Sequence, residues 1–248
     1  MSTWIDTSTF TGVITRVAVV PYPPLLVPDL TVRAGAETEY LRNSCLRAVS
    51  SLTEIAAEWV AVGADRSGPA ELAPETTGTF AGFGVDLRVA LGTEQTEPAD
   101  PMLPLPALVA GWLRGQVGAR AVDMRLLDPD TSADECADIA RELDEQDRPL
   151  LVLADGTNCR DERSPRPLDS RAAALDASIR DALAAADPDP LLAMDPALAA
   201  DLGVQGRAGL QVLAHLARQS GVPWRGDLLY SATPFGVSYH VAVWTRYR

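Results

Sequence analysis

A short apolar run that breaks into a proline-stiffened loop constrains this chain more than any other stretch. Val17-Ala18-Val19-Val20 leads directly into Pro21-Tyr22-Pro23-Pro24-Leu25-Leu26-Val27-Pro28-Asp29-Leu30. A continuous apolar run of this length, bounded by prolines, reads as a strand buried on both faces. The prolines fix φ over most of the loop, so the turn is stiff without a ligand. The loop stands at a strand's C-terminal end, where open α/β sheets place their ligands. Tyr22 is the side chain best placed to point into that crevice.

The rest of the chain alternates strand and helix. Leu41, Cys45, Val49, Leu52, Ile55 and Trp59 recur at helical spacing and predict a helix over about 37–58, followed by a short strand from Trp59 to Val62. That strand ends in a second turn, Gly63-Ala64-Asp65. Two glycines within an alternating Phe80–Val89 segment predict a hairpin. Leu105, Leu108, Trp112 and Leu113 mark a helix behind prolines suited to a first turn, and Ala121–Leu126 a strand. Ser132 and Glu135 have capping-box spacing ahead of the stripe Cys136, Ile139, Ala140 and Leu143.

Leu150–Leu153 is the second strongly buried strand and runs into Ala154-Asp155-Gly156-Thr157-Asn158-Cys159. Ala172, Leu175, Ile179 and Leu183 predict a further helix, Pro196–Asp201 a short segment, and Leu210, Leu213, Leu216 and Ala217 another helix. Asp227–Ser231 and Gly236–Trp244 read as paired strands, with Val237, Tyr239, Val241 and Val243 on one face. The expected fold is a single-domain α/β sandwich over 13–248, a mixed sheet with helices on both faces, preceded by a tail at 1–12.

Twenty-one basic against 34 acidic residues leave a net charge of −13, which argues against nucleic acid or an anionic membrane as partner. No stretch approaches a membrane span, and the first residues lack the features of a signal peptide, so a cytoplasmic protein is expected. Cys45, Cys136 and Cys159 show no CxxC spacing and read as reduced core thiols.

The Pro-Tyr-Pro-Pro-Leu-Leu-Val-Pro stretch at 21–28 resembles the opening motif of the class III extradiol ring-cleavage dioxygenases and the related Memo-like proteins. Those have histidine, a ligand of catalytic iron, where this chain has Tyr22. The resemblance runs from about 17 to 217. It implies an extradiol dioxygenase-like α/β domain, homodimerisation and a ferrous facial triad. By the same resemblance Asp65 takes the second histidine's place, Gln211 that of the glutamate, and Asn158 is nearest the acid/base histidine. With Tyr, Asp and Gln there, the expectation is a crevice that binds a small molecule or a partner without iron or ring cleavage. The alternative is a working metal-dependent oxidoreductase or hydrolase with unorthodox ligands drawn from Asp65, Asp155, Asn158 and His215.

Simpler roles compete for each of these residues. His215 and His240, the only histidines, read first as ordinary partly buried or surface groups. Asp155 reads as a cap of its own turn, since no Walker lysine or GxGxxG stands near it. GxSxG is absent, which removes the serine hydrolases of that type. No histidine stands near Cys159 in sequence to activate it. Arg160, Arg163 and Arg166 read as a solvated loop, with a lid over an acidic ligand as the lesser possibility.

Overall fold

A computed structural model describes residues 13–31, 35–95 and 98–247; the expected tail at 1–12 lies outside them. In chain order the elements are β1 (Arg16–Val20), α1 (Ala36–Thr53), β2 (Glu58–Ala64), β3 (Ala70–Leu72), β4 (Thr77–Thr79), β5 (Arg88–Ala90), α2 (Leu105–Val117), β6 (Ala121–Leu127), α3 (Ala133–Asp144), β7 (Leu150–Leu153), α4 (Ala172–Ala185), α5 (Asp189–Leu192), α6 (Pro196–Asp201), α7 (Arg207–Gln219), β8 (Trp224–Ala232) and β9 (Tyr239–Arg246).

One seven-stranded sheet runs β3-β6-β2-β7-β1-β9-β8, and β4 and β5 form a separate two-stranded ribbon. The four central strands β6, β2, β7 and β1 are parallel, and β3, β9 and β8 close the edges antiparallel. The mixed sheet is therefore covered on both faces, as expected of an α/β sandwich.

Alternation along the central strands explains why their runs are apolar throughout. Ala18, Val20, Trp59, Ala61, Leu151 and Leu153 face α1 and α2. Val17, Val19, Val60, Val62, Leu150 and Val152 face α3, α4, α5 and α7. With water on neither face, every position of such a strand favours an apolar residue.

The capping box forms at the start of α3: Ser132 accepts from the Glu135 N–H and its own N–H donates back to Glu135. All three cysteines are free and buried.

Several elements differ from the sequence expectation: β3 and α5 have no counterpart in it, and β8 starts at Trp224 instead of Asp227. α1 stops at Thr53 instead of running to 58, leaving Ile55 47% exposed, while Trp59 is fully buried on β2. Trp59 fits the helical stripe and the strand alike because both put it on the face under α1. Only the turn needed before β2 separates them. The hairpin expected within 80–89 is displaced outward: Thr77–Thr79 pairs with Arg88–Ala90, and Phe80–Phe83, expected as strand, form a 3-10 turn in the connection. In the last pair β9 begins at Tyr239, not Gly236, and β8 carries a register slip between Leu228 and Tyr230.

Candidate functional site

The C-terminal ends of the parallel strands gather the residues with the most chemistry. Val20 of β1 lies opposite Leu153 of β7, so Tyr22 and Asp155, each two residues further on, emerge side by side. The Tyr22 backbone N–H donates to Asp155 Oδ1 at 3.0 Å. Asp155 therefore ties down the proline loop of its neighbour strand, a different role from capping its own turn. The Tyr22 hydroxyl donates to Gln205 Oε1 at 3.4 Å.

Gln205 arrives on the turn between α6 and α7, which lies flat on the end of β7. A Cβ at Gly206 would stand 2.5 Å from Ala154 Cα, so only glycine permits this approach. Gly203, at φ +74°, turns the chain ahead of it and presses against the Asn158 side chain. The expected open crevice is consequently almost filled. Tyr22 is 4% exposed. Gln205, which covers it, also lines, with Arg66 and Arg207 among others, a separate cavity in which neither Tyr22 nor Asp155 takes part and which measures about 20 Å³. That is room for about one water molecule.

Burial, with no cation among the described residues acting on it, sets the state of the Asp155 carboxyl. Burial holds the Asp155 carboxyl up at about 7, opposed by the Tyr22 N–H. Burial raises the Tyr22 phenol above its ordinary range, and the charges of Asp155 and Asp65 raise it further. Tyr239 and the Cys45 thiol are raised by burial and by Asp155 as well. A phenol in such a place stays protonated at neutral pH. A carboxyl perturbed by burial at a strand's C-terminal end is a candidate functional position.

The remaining expected site residues are placed as follows. Asp65 is half-buried, near enough for its charge to act on Tyr22, and its carboxylate accepts the Ser67 N–H at 2.9 Å. Asn158 is half-buried with its Oδ1 unpartnered.

Gln211 is buried within α7, bonded to Arg207 and turned toward the carbonyls of Leu191 and Met194. It makes no bond to Tyr22; Gln205 does, six residues earlier. His215 lies one turn further along α7, where burial and Arg218 lower its pKa against the pull of Asp134. His240 is bonded to Ser231 across the β8–β9 pair at 3.0 Å, and burial pushes it down to about 4 despite the Asp176 carboxylate. The structure thus groups Tyr22, Asp65 and Asp155, and places Gln211 and His215 in other surroundings.

Asp176 is the residue that sequence reasoning passed over. It falls on the buried face of α4, where its spacing of four from Ala172 was a legible signal, and is 3% exposed. Its carboxylate accepts the Thr157 N–H at 2.9 Å, the Thr157 hydroxyl at 2.6 Å, Arg160 at 2.8 Å and the Ser238 hydroxyl. It knots the loop after β7 to the entry of β9. Arg160 therefore has a buried partner, while Arg163 pairs with Asp161 and Arg166 bonds the carbonyls of Ala200 and Asp201. Arg160 and Arg166 are thus tied to other elements, while Arg163, its side chain 70% exposed, stays solvated as expected.

No group of three or more His, Cys, Asp or Glu side chains among the described residues is placed to hold a metal ion. No helix among them is long and apolar enough to cross a membrane.

No family model matches the chain. No curated protein matches it. Among solved structures it is similar to the crystal structure of the uncharacterized protein JW3007 from Escherichia coli K12, with a TM-score of 0.53 at 13% identity, over 93% of this chain and 99% of that one. At that identity the likeness is one of fold.

Proposed function

We propose that this chain is a diverged class III extradiol dioxygenase-like protein that does not hold catalytic iron and binds a small molecule beside Tyr22 and Asp155. The observation that carries this is the setting of Tyr22. It stands where the resembled motif has an iron-binding histidine, with its phenol on Gln205 and its backbone on Asp155.

Ferrous iron in such sites is held by two imidazoles and a carboxylate. Here the donors are a phenol that burial and two carboxylates keep protonated, an amide, and the carboxylates themselves. Neither histidine is at hand: His240 is bonded to Ser231 on the β8–β9 pair, and His215 lies further along α7 with its Nε2 unpartnered. These residues fit ferrous iron poorly. They fit a neutral or cationic ligand that exchanges hydrogen bonds with phenol, amide and carboxyl, since Asp65 and Asp155 oppose an anion. Because the Tyr22–Gln205 contact fills the opening, binding requires Gln205 to swing aside.

One observation favours the metal-dependent enzyme instead: a carboxyl at about 7 is poised for general acid–base work near neutral pH. Ring cleavage or ester hydrolysis by the wild-type chain that disappears in Asp155→Asn would support that alternative.

The test of the inherited scaffold is to rebuild the metal site. The combined variant Tyr22→His, Asp65→His, Gln205→Glu is expected to take up stoichiometric ferrous iron under anaerobic conditions, with a melting temperature that rises on iron addition. A variant that folds normally yet takes up no iron would remove the extradiol ancestry from the proposal.

A further inference from the structure

At the opposite end of β1 from Tyr22 lies a second feature of different charge. All 21 basic residues of this chain are arginines, and most of the described ones are already answered. Arg125 holds Glu71 and Glu142, Arg160 holds Asp176, and Arg42, Arg114 and Arg207 bond backbone carbonyls. Arg16, Arg47 and Arg66 pair with no carboxylate among the described residues and make no hydrogen bond shorter than 3.5 Å, and the first two of them meet in one groove. The single bond of the Arg16 guanidinium is a long one, 3.5 Å to the Ser51 carbonyl, and its Nε is buried with no acceptor. Arg47 projects from α1 into solvent.

Both line a groove of about 630 Å³ between the second half of α1 and the β8–β9 edge, a volume within the usual range of small-molecule sites. Leu229 and Val243 supply an apolar floor, and Tyr247, 52% exposed, an aromatic wall. Arg225 is a third guanidinium in the lining, but both oxygens of Asp227 hold it at 2.8 Å. Three arginines against one aspartate leave two uncompensated positive charges in a groove of a chain whose net charge is −13.

We propose that this groove is a binding site for a phosphate monoester with an apolar body. Its dianionic headgroup matches the two unanswered guanidinium charges, which recognise phosphate through directed N–H donors. Leu229, Val243 and Tyr247 cover the apolar part. The site does not depend on the function proposed for Tyr22, since it shares no residue with that cluster.

Calorimetric titration of the full chain with phenyl phosphate at low salt tests it, with phenol and inorganic phosphate as comparison ligands. Saturable binding of phenyl phosphate is expected, with no binding of phenol and inorganic phosphate at least roughly tenfold weaker. Arg47→Glu should weaken phenyl phosphate at least roughly tenfold with an unchanged melting temperature, because Arg47 is exposed. Arg16→Gln should also weaken it, and Tyr22→Phe should leave it unchanged. Rising salt should lower the affinity. The proposal is overturned by an absence of saturable binding, by equal binding in Arg47→Glu, or by inorganic phosphate binding as tightly as the ester.

Discussion

Replacing Asp155 by asparagine is expected to make the chain progressively more stable than the wild type as pH rises, by about 2–3 kcal/mol between pH 5 and pH 8. The folded carboxyl titrates at about 7 because burial disfavours its charge, whereas in an unfolded chain it titrates near 3.9. The folded state thus binds the proton more tightly. Its contribution to stability is complete below about pH 4 and is lost as pH rises through about 7. Asparagine keeps the oxygen that accepts the Tyr22 N–H and has no charge to desolvate. Urea unfolding of both proteins across this range measures the difference. A difference that stays flat with pH would show that the carboxyl is not withdrawn from water.

Asp176→Ala is expected to destabilise the fold by about 3–5 kcal/mol at neutral pH, the usual cost of removing one partner from a buried charged network. The change leaves the Thr157 N–H and hydroxyl, the Ser238 hydroxyl and Arg160 without their common acceptor. Thr157 and Ser238 are fully buried, so water cannot replace it. Ser238→Ala, which removes one donor and leaves the others paired, should cost only about 1 kcal/mol. Equal losses in the two variants, or a loss below about 1 kcal/mol in Asp176→Ala, would mean that backbone pairing such as Gly156 N–H to the Ser238 carbonyl holds the loop unaided.

What could be read from the residues was whatever depends on local pattern. Val17–Val20 and Leu150–Leu153 are apolar at every position because helices cover both faces of the sheet. The Ser132–Glu135 box marks the start of α3 because its two bonds are local. The place of Tyr22 followed from the strand before it. Less legible were features that depend on which elements meet.

Gln205 and Gln211 both lie near the start of α7, and spacing cannot say which one reaches the end of β1. That is decided by the close approach of Gly206 to Ala154. The same approach fills the crevice that an open sheet end would otherwise leave. Asp176 sits on an apolar stripe, and only the folded loop shows that its four donors come from the turn after β7 and the segment before β9. Trp59 satisfied two periodicities at once.

The most direct test of the proposed loss of iron is anaerobic titration of the wild-type chain with ferrous iron, after purification without chelator and with metal content measured beforehand. The expected result is substoichiometric metal, no saturable binding at micromolar iron, and a melting temperature that neither iron nor chelator moves. Stoichiometric ferrous iron bound beside Tyr22, lost to chelator together with several degrees of melting temperature, would contradict it.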